Sequence, residues 1–263
     1  MTTNIHALAV VDPKAELGSN VKIGPFCTVG PHVQLGDNVQ LVSHVVVDGR
    51  TQVGEDTIIY PFASIGTAPQ DLKYSGEEST LHIGKRNKIR EHVTMNPGTK
   101  GDKMKTVVGD DCLFMMAAHV AHDCIVGNRV ILANNATLAG HVVVGDFAII
   151  GGLSAIHQFV RIGEHAMIGG MSGVENDVIP YGMVMGERAR LAGLNLVGLE
   201  RRGFEKESVQ TLLKAFRELF MGDGTFAGRL ADIEQRYADE ELVADLVAFA
   251  KVKASRPLCQ PKK

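Results

Sequence analysis

"VDPKAELGSNVKIGPFCTVGPHVQLG", residues Val11–Gly36, moves on a beat of six. Val11, Leu17, Ile23, Val29 and Leu35 recur at that interval, and Gly18, Gly24, Gly30 and Gly36 directly follow four of them. Working outward, the beat runs through Leu41, Val47, Val53, Ile59 and Ile65 and returns at Ile83, Ile89 and Met95. It restarts one step out of phase at Val108 and continues through Phe114, Val120, Val126 and Leu132 as far as Val174. A second lane lies two residues before each beat: Ala15, Val21, Cys27 and Val33 early, Cys112, Ala118, Cys124 and Ala136 later, all small or β-branched. Residues two apart in a strand face the same side. Two lanes in phase through most of the chain therefore specify a solenoid of short parallel strands, about three hexads to a coil, with aliphatics filling the shaft. Each buried aliphatic contributes ~1.5–3 kcal/mol, so the stack supplies a core without helices.

The composition agrees. Twenty-nine glycines and no tryptophan in 263 residues suit a coil-and-turn β architecture. A net charge of −3 gives no bulk signal for nucleic acid. Four cysteines make no disulfide framework, and the lane places Cys27, Cys112 and Cys124 in the shaft as small hydrophobes, where a serine at 124 is expected to lack a hydrogen-bond partner. The N-terminus lacks a charged start and apolar run, and no stretch is long and apolar enough for a membrane span. These features lead to the expectation of a soluble cytoplasmic protein.

Two segments leave the beat. Thr67–His82 keeps count, but its beats fall on Asp71 and Glu77, which do not belong in an apolar shaft. Pro97–Lys105 is polar, and the phase slips across it. Both are read as excursion loops, near 67–82 and 97–105. Past about Tyr181 the beat stops. Residues 190–204 read as a connector, and 205–220, 226–237 and 239–254 carry helical apolar spacing. The division is a β-helix over 1–186 and a small helical domain over 187–263.

"HVAHDCIVGN" (His119–Asn128) sits within this register. Its cysteine faces inward, but His122 and Asp123 fall at an outward corner. Eighteen residues on, one coil away, stand Gly140 and His141, followed another coil on by His157 and Gln158. Three imidazoles and a carboxylate on one edge are not turn chemistry. A carboxylate beside an imidazole fixes its tautomer and raises its basicity. A glycine against it leaves room and a backbone N–H for a developing oxyanion. His122, Asp123 and Gly140 thus read as base, orienting group and oxyanion donor of acyl transfer, with a substrate hydroxyl as nucleophile. His6, His32, His44 and His165 read as solvated.

"QDLKY" (70–74), "HVAHDCIVGNRVILANNATLAGH" (119–141), "AIHQF" (155–159) and "ERRGF" (200–204) resemble the UDP-N-acetylglucosamine acyltransferase family, and the likeness covers nearly the whole chain. The resemblance implies a left-handed coil and a cytoplasmic homotrimer with active sites between subunits. It implies transfer of an (R)-3-hydroxyacyl group from acyl carrier protein to the 3-hydroxyl of a UDP-sugar, the first step of lipid A synthesis, with no cofactor and no metal. Carried over, Asp71, Lys73 and His141 would hold the sugar and diphosphate. His157 and Gln158 would line the site, Asn195, Arg201 and Arg202 would reach nucleotide or carrier, and Gly170 would be the acyl-chain ruler. The chain departs from the pattern at Asn96 and Pro97, where relatives carry His and Arg, and at Val197, where many carry Glu. The first departure raises a 3-amino sugar as an alternative acceptor. A zinc hydratase of the γ-carbonic-anhydrase type, a related acyltransferase with a smaller donor, and a non-catalytic scaffold are the rival readings.

Overall fold

The computed structural model describes residues 3–262, so the first two residues and the last residue of the two predicted domains lie outside the described residues. It is a left-handed parallel β-helix with three faces. The first face has eleven strands starting at Asn4–Ile5, the second has nine starting at Val10–Val11, and the third has eight starting at Glu16–Leu17. Most strands are only two residues long, because each face of the triangle needs little more before the chain turns. The beat residues occupy the second strand position and point inward. Ile59, Ile65, Met95, Phe114, Val120 and Leu132 are fully buried, as are the lane residues Val21, Cys27, Ala118 and Cys124.

Three members of the lane share one contact, whereas the Thr106 hydroxyl is buried without a partner among the described residues. Cys112 Sγ donates to Gly127 O at 3.2 Å, Cys124 Sγ to Ala139 O at 3.2 Å, and Ser154 Oγ to Gly169 O at 2.9 Å. The expectation of an orphaned hydroxyl at position 124 is therefore corrected: the solenoid offers a carbonyl fifteen residues on.

Corners are made by residues in left-handed backbone. Asn20, Asn38 and Asp56 form one such column, and their side chains chain together at 2.8 and 3.0 Å. Asparagine and aspartate enter this conformation at low cost. Asp123, His141 and Phe159 form another column, with φ of 58°, 66° and 66°. Ladder bonds hold it: the His141 N–H donates to His122 O at 3.0 Å, and the Phe159 N–H to Gly140 O at 3.3 Å.

The register explains the two excursions. Lys22 pairs with Gln40, eighteen residues on, but Ile58 pairs with Lys88, thirty on, and Lys88 with Leu113, twenty-five on. The first loop thus extrudes twelve residues, two whole hexads, so the count survives it. The second extrudes seven, a hexad plus one, and the phase slips by one. Both predicted loops run too far, since Thr80–Ile83 and Lys105–Val108 are strands.

Near the predicted boundary at 186 the first face does not stop. Gly182–Met185 continues the first face, and Arg190–Leu194 folds back antiparallel on it. Residues 190–204 are therefore a strand and helix α1 (Leu196–Arg201) rather than a bare connector. The physical reason is closure: Leu191 and Leu194 are buried, and the hairpin covers the end of the shaft. Helices α2 (Lys206–Met221), α3 (Phe226–Arg236) and α4 (Glu241–Lys251) pack through Leu212, Phe216, Leu219, Ile233, Leu246 and Val247. The chain end then returns to the solenoid, where the Cys259 N–H donates to Asp177 O at 2.7 Å and the Leu191 N–H to Gln260 O at 3.0 Å.

Candidate active site

His122 occupies the corner between the strands His119–Val120 and Ile125–Val126, where the second face meets the third. It is 9% exposed, and Asp123 is fully buried. His122 Nδ1 lies 3.0 Å from Asp123 Oδ2. The second excursion loop supplies the rest of the carboxylate's partners. Thr99 donates its N–H at 2.9 Å and its hydroxyl at 2.7 Å to Oδ2, and the Lys103 N–H donates to Oδ1 at 3.1 Å. A carboxylate taking these donors acts as an acceptor, so Nδ1 of His122 is the donor and Nε2 carries the lone pair. The first loop brings Asp71 Oδ2 to 4.0 Å from that Nε2, within the same chain. Lys73 donates its N–H to Asp71 Oδ1 at 2.9 Å, but its ammonium has no ion-pair partner among the described residues.

Gly140 is required by space. A Cβ there would stand 2.5 Å from His122 Cε1 and 2.6 Å from Nε2. Its N–H donates to no group among the described residues, which leaves a donor beside the base. His141 meets His122 edge-on at 4.9 Å and stacks on Phe159 at 4.3 Å, the rings within 3° of parallel. His119 is held by Thr94 at 2.7 Å, and burial, then the nearby His122, pushes its pKa down. His157 and Gln158 lie on the same edge, exposed, and Arg256 of the chain end reaches both. His122, Asp123 and His141 each offer one donor atom within 4.8 Å of the others, a spacing that a cation can bridge.

Asn195, Arg201 and Arg202 are brought together, but elsewhere. With Ile149, Met167, Met183 and Val197 they line a cavity of ≈ 430 Å³ on the first face. In a three-sided prism that face is opposite the His122 corner. Asn195 caps α1 by accepting the Gly198 N–H at 3.1 Å and donates to His165 O at 2.9 Å. Arg202 donates to Phe147 O at 2.9 Å, its other terminal nitrogen is buried without a partner, and burial lowers its pKa. Gly170 lies on the corner between first and second faces beside exposed Met171, and an added Cβ would meet only the backbone of Gly152, its O at 3.3 Å and its N at 3.9 Å.

One reading is corrected here. His165 is buried between Phe147 and Tyr181 with Phe204 on its edge, because the helical domain covers that corner. Asn96 is buried and donates to Thr67 O at 3.0 Å and Ala68 O at 3.3 Å, so it anchors the loop that carries Asp71. Sequence reading missed Thr99, Asp102, Lys103, Phe159 and Arg256. Only Phe159, eighteen residues after His141 on the corner column, carried a signal in the spacing.

Comparison with known proteins fits this picture. Residues 177–259 match the family model of UDP-N-acetylglucosamine O-acyltransferase domain 2, and residues 14–49 and 105–140 match the bacterial transferase hexapeptide model. The acyl-(acyl-carrier-protein)–UDP-N-acetylglucosamine O-acyltransferase of Rickettsia typhi is 51% identical over 261 residues, 99% of each chain. A crystal structure of UDP-N-acetylglucosamine acyltransferase is similar at a TM-score of 0.95 and 42% identity, covering 99% of this chain and 100% of its own. The enzyme of that name from Campylobacter jejuni is similar at 0.93 and 37%, covering 98% and 100%. The chain belongs to the acyl-(acyl-carrier-protein)–UDP-N-acetylglucosamine O-acyltransferase family, enzymes built on the hexapeptide solenoid.

Proposed function

We propose that the protein transfers an (R)-3-hydroxyacyl group from acyl carrier protein to the 3-hydroxyl of the glucosamine ring of a UDP-sugar, the opening step of lipid A synthesis. The observation that carries the reading is the His122–Asp123 pair, with the lone pair of Nε2 facing the space between Asp71 and the free Gly140 N–H. In this mechanism Nε2 takes the proton of the sugar hydroxyl as its oxygen attacks the thioester carbonyl. The tetrahedral oxyanion receives the Gly140 N–H. Collapse expels the carrier thiolate, which recovers the proton from His122, so an ester and a free thiol leave. Asp123, held by Thr99 and Lys103, stabilises the transient imidazolium.

The nucleotide end is assigned to Asn195, Arg201 and Arg202, with Lys73 and His141 on the sugar and diphosphate and His157 and Gln158 lining the site. The planar, permanently charged guanidiniums of Arg201 and Arg202 suit phosphate oxygens. Because that cavity faces away from the chain's own His122, one substrate spans both only when a second copy contributes the face. A homotrimer with inter-subunit sites meets this need, and no helix of the described residues is long and apolar enough to cross a membrane.

The deciding experiment assays acyl-carrier thioesters against UDP-N-acetylglucosamine and its 3-amino analogue, with bound zinc measured on the same preparation. Turnover of the hydroxyl sugar that falls by about 10²–10⁴-fold in His122→Ala, with unchanged folding, supports the base. Gly140→Ala is expected to stay folded and lose comparable activity, since its Cβ displaces the imidazole. Turnover confined to the amino sugar moves the acceptor. Stoichiometric zinc lost together with activity in His122→Ala points to the hydratase.

A further inference from the structure

Two imidazoles of the site are contacted by side chains from outside the solenoid edge, and the two contacts have opposite polarity. His141 Nδ1 lies 2.8 Å from Asp102 Oδ2, on the second excursion loop. Burial pushes the Asp102 carboxyl up, but hydrogen bonds from Lys103 and His141 outweigh it and hold it below its ordinary value. It is an acceptor, so Nδ1 of His141 carries a proton and Nε2 of the neutral ring presents a lone pair. His157 is the reverse case. Its Nδ1 lies 2.7 Å from Arg256 Nη2 and 3.3 Å from Gln158 O, while Arg256 Nε donates to that carbonyl at 3.0 Å. A guanidinium has no acceptor, and a proton on Nδ1 would collide with the nearer contact. Nδ1 of His157 therefore accepts, and its proton is on Nε2.

Arg256 is not a loose contact. The Asp177 N–H donates to Pro257 O at 2.9 Å and the Cys259 N–H to Asp177 O at 2.7 Å, which ties the chain end to the solenoid on either side of Leu258. Asp177 is itself fully buried and paired with Arg161 at 2.7 Å. Asp102 is similarly fixed, since its neighbour Lys103 and nearby Thr99 bind Asp123.

We infer that Asp102 and Arg256 are positioning residues that set His141 as a hydrogen-bond acceptor and His157 as a donor, giving the edge an order of base, acceptor, donor across His122, His141 and His157. The substrate this order recognises presents a hydroxyl or amine N–H to His141 and a carbonyl or phosphate oxygen to His157. That chemical class deepens the acyltransferase reading and rests on it, but the tautomers do not.

Nitrogen-15 spectra of histidine-labelled full-length protein near pH 8, assigned with His141→Asn and His157→Asn, test it without substrate. The expected result is an Nδ1–H tautomer at His141 and an Nε2–H tautomer at His157. Asp102→Leu should release the first and Arg256→Met the second, with Arg256→Lys restoring it. Kinetically, each loss should raise KM for the UDP-sugar roughly three- to tenfold, the scale of one hydrogen bond, while kcat changes by less than that. The opposite tautomer at either ring, or both variants leaving tautomers and KM unchanged, overturns the inference. If no UDP-sugar is turned over at all, the spectra alone decide it, and that failure belongs to the proposed function.

Discussion

Asp123 shows how a buried carboxylate is made useful. It sits in left-handed backbone, fully buried, and its oxygens face Nδ1 of His122, two donors of Thr99 and the Lys103 amide. Burial without these partners would cost several kcal/mol. With them it orients the neighbouring ring. The sequence register placed His122, Asp123 and Gly140 together because the coil repeat does so geometrically. Thr99 and Asp102 were illegible, since they arrive from an extruded loop whose path the repeat does not dictate. Cys124 makes the same point from the shaft. Its side was readable from the lane, but the carbonyl of Ala139 at 3.2 Å was not. Cys124→Ser is accordingly expected to cost less than about 1 kcal/mol, because the hydroxyl inherits the contact that Ser154 makes with Gly169. A denaturant titration showing a loss well above that would mean the carbonyl is out of a hydroxyl's reach.

At the scale of elements, the excursion loops and the closing hairpin decide what the solenoid can do. The phase arithmetic exposed both loops, but the hairpin strand Arg190–Leu194 was hidden because it is short, antiparallel and off the beat. The covered corner beneath the helical domain was hidden for the same reason, and with it the burial of His165. Burial, then Arg202, lowers the pKa of His165 to about 4. The unfolded chain binds a proton there below the ordinary value near 6.5, and the folded protein does not until about 4. Stability is therefore unaffected above that window and falls as pH drops through it, by on the order of 3 kcal/mol. His165→Phe keeps the stack with Phe147 and should flatten this acid slope. Equal slopes in the two proteins between pH 7 and pH 4 would remove His165 from the acid response. At the other edge of the first face, Gly170→Met should shift the donor preference toward shorter acyl chains by several carbons, because an added side chain would project beside exposed Met171. An unchanged chain-length profile would end its reading as a ruler.

For the whole molecule, the decisive feature is that the two groups of residues proposed to form one site lie back to back in a single chain. His122 and Asp71 share a corner, while Asn195, Arg201 and Arg202 line a cavity on the face opposite. Repetition explains why the fold was so legible: each coil restates the last. In the homotrimer proposed above, threefold assembly of such rods would bring corner against face. The assembly itself had no signature in the spacing and came from resemblance. Its most direct test is co-expression of His122→Ala with Arg202→Ala chains. Each variant alone is expected to be inactive. In mixed trimers, a site with its corner from the Arg202→Ala chain and its face from the His122→Ala chain is intact, so about a quarter of wild-type activity should return under random cyclic assembly. Mixed trimers as inactive as either parent would contradict a shared site and place the whole reaction within one chain.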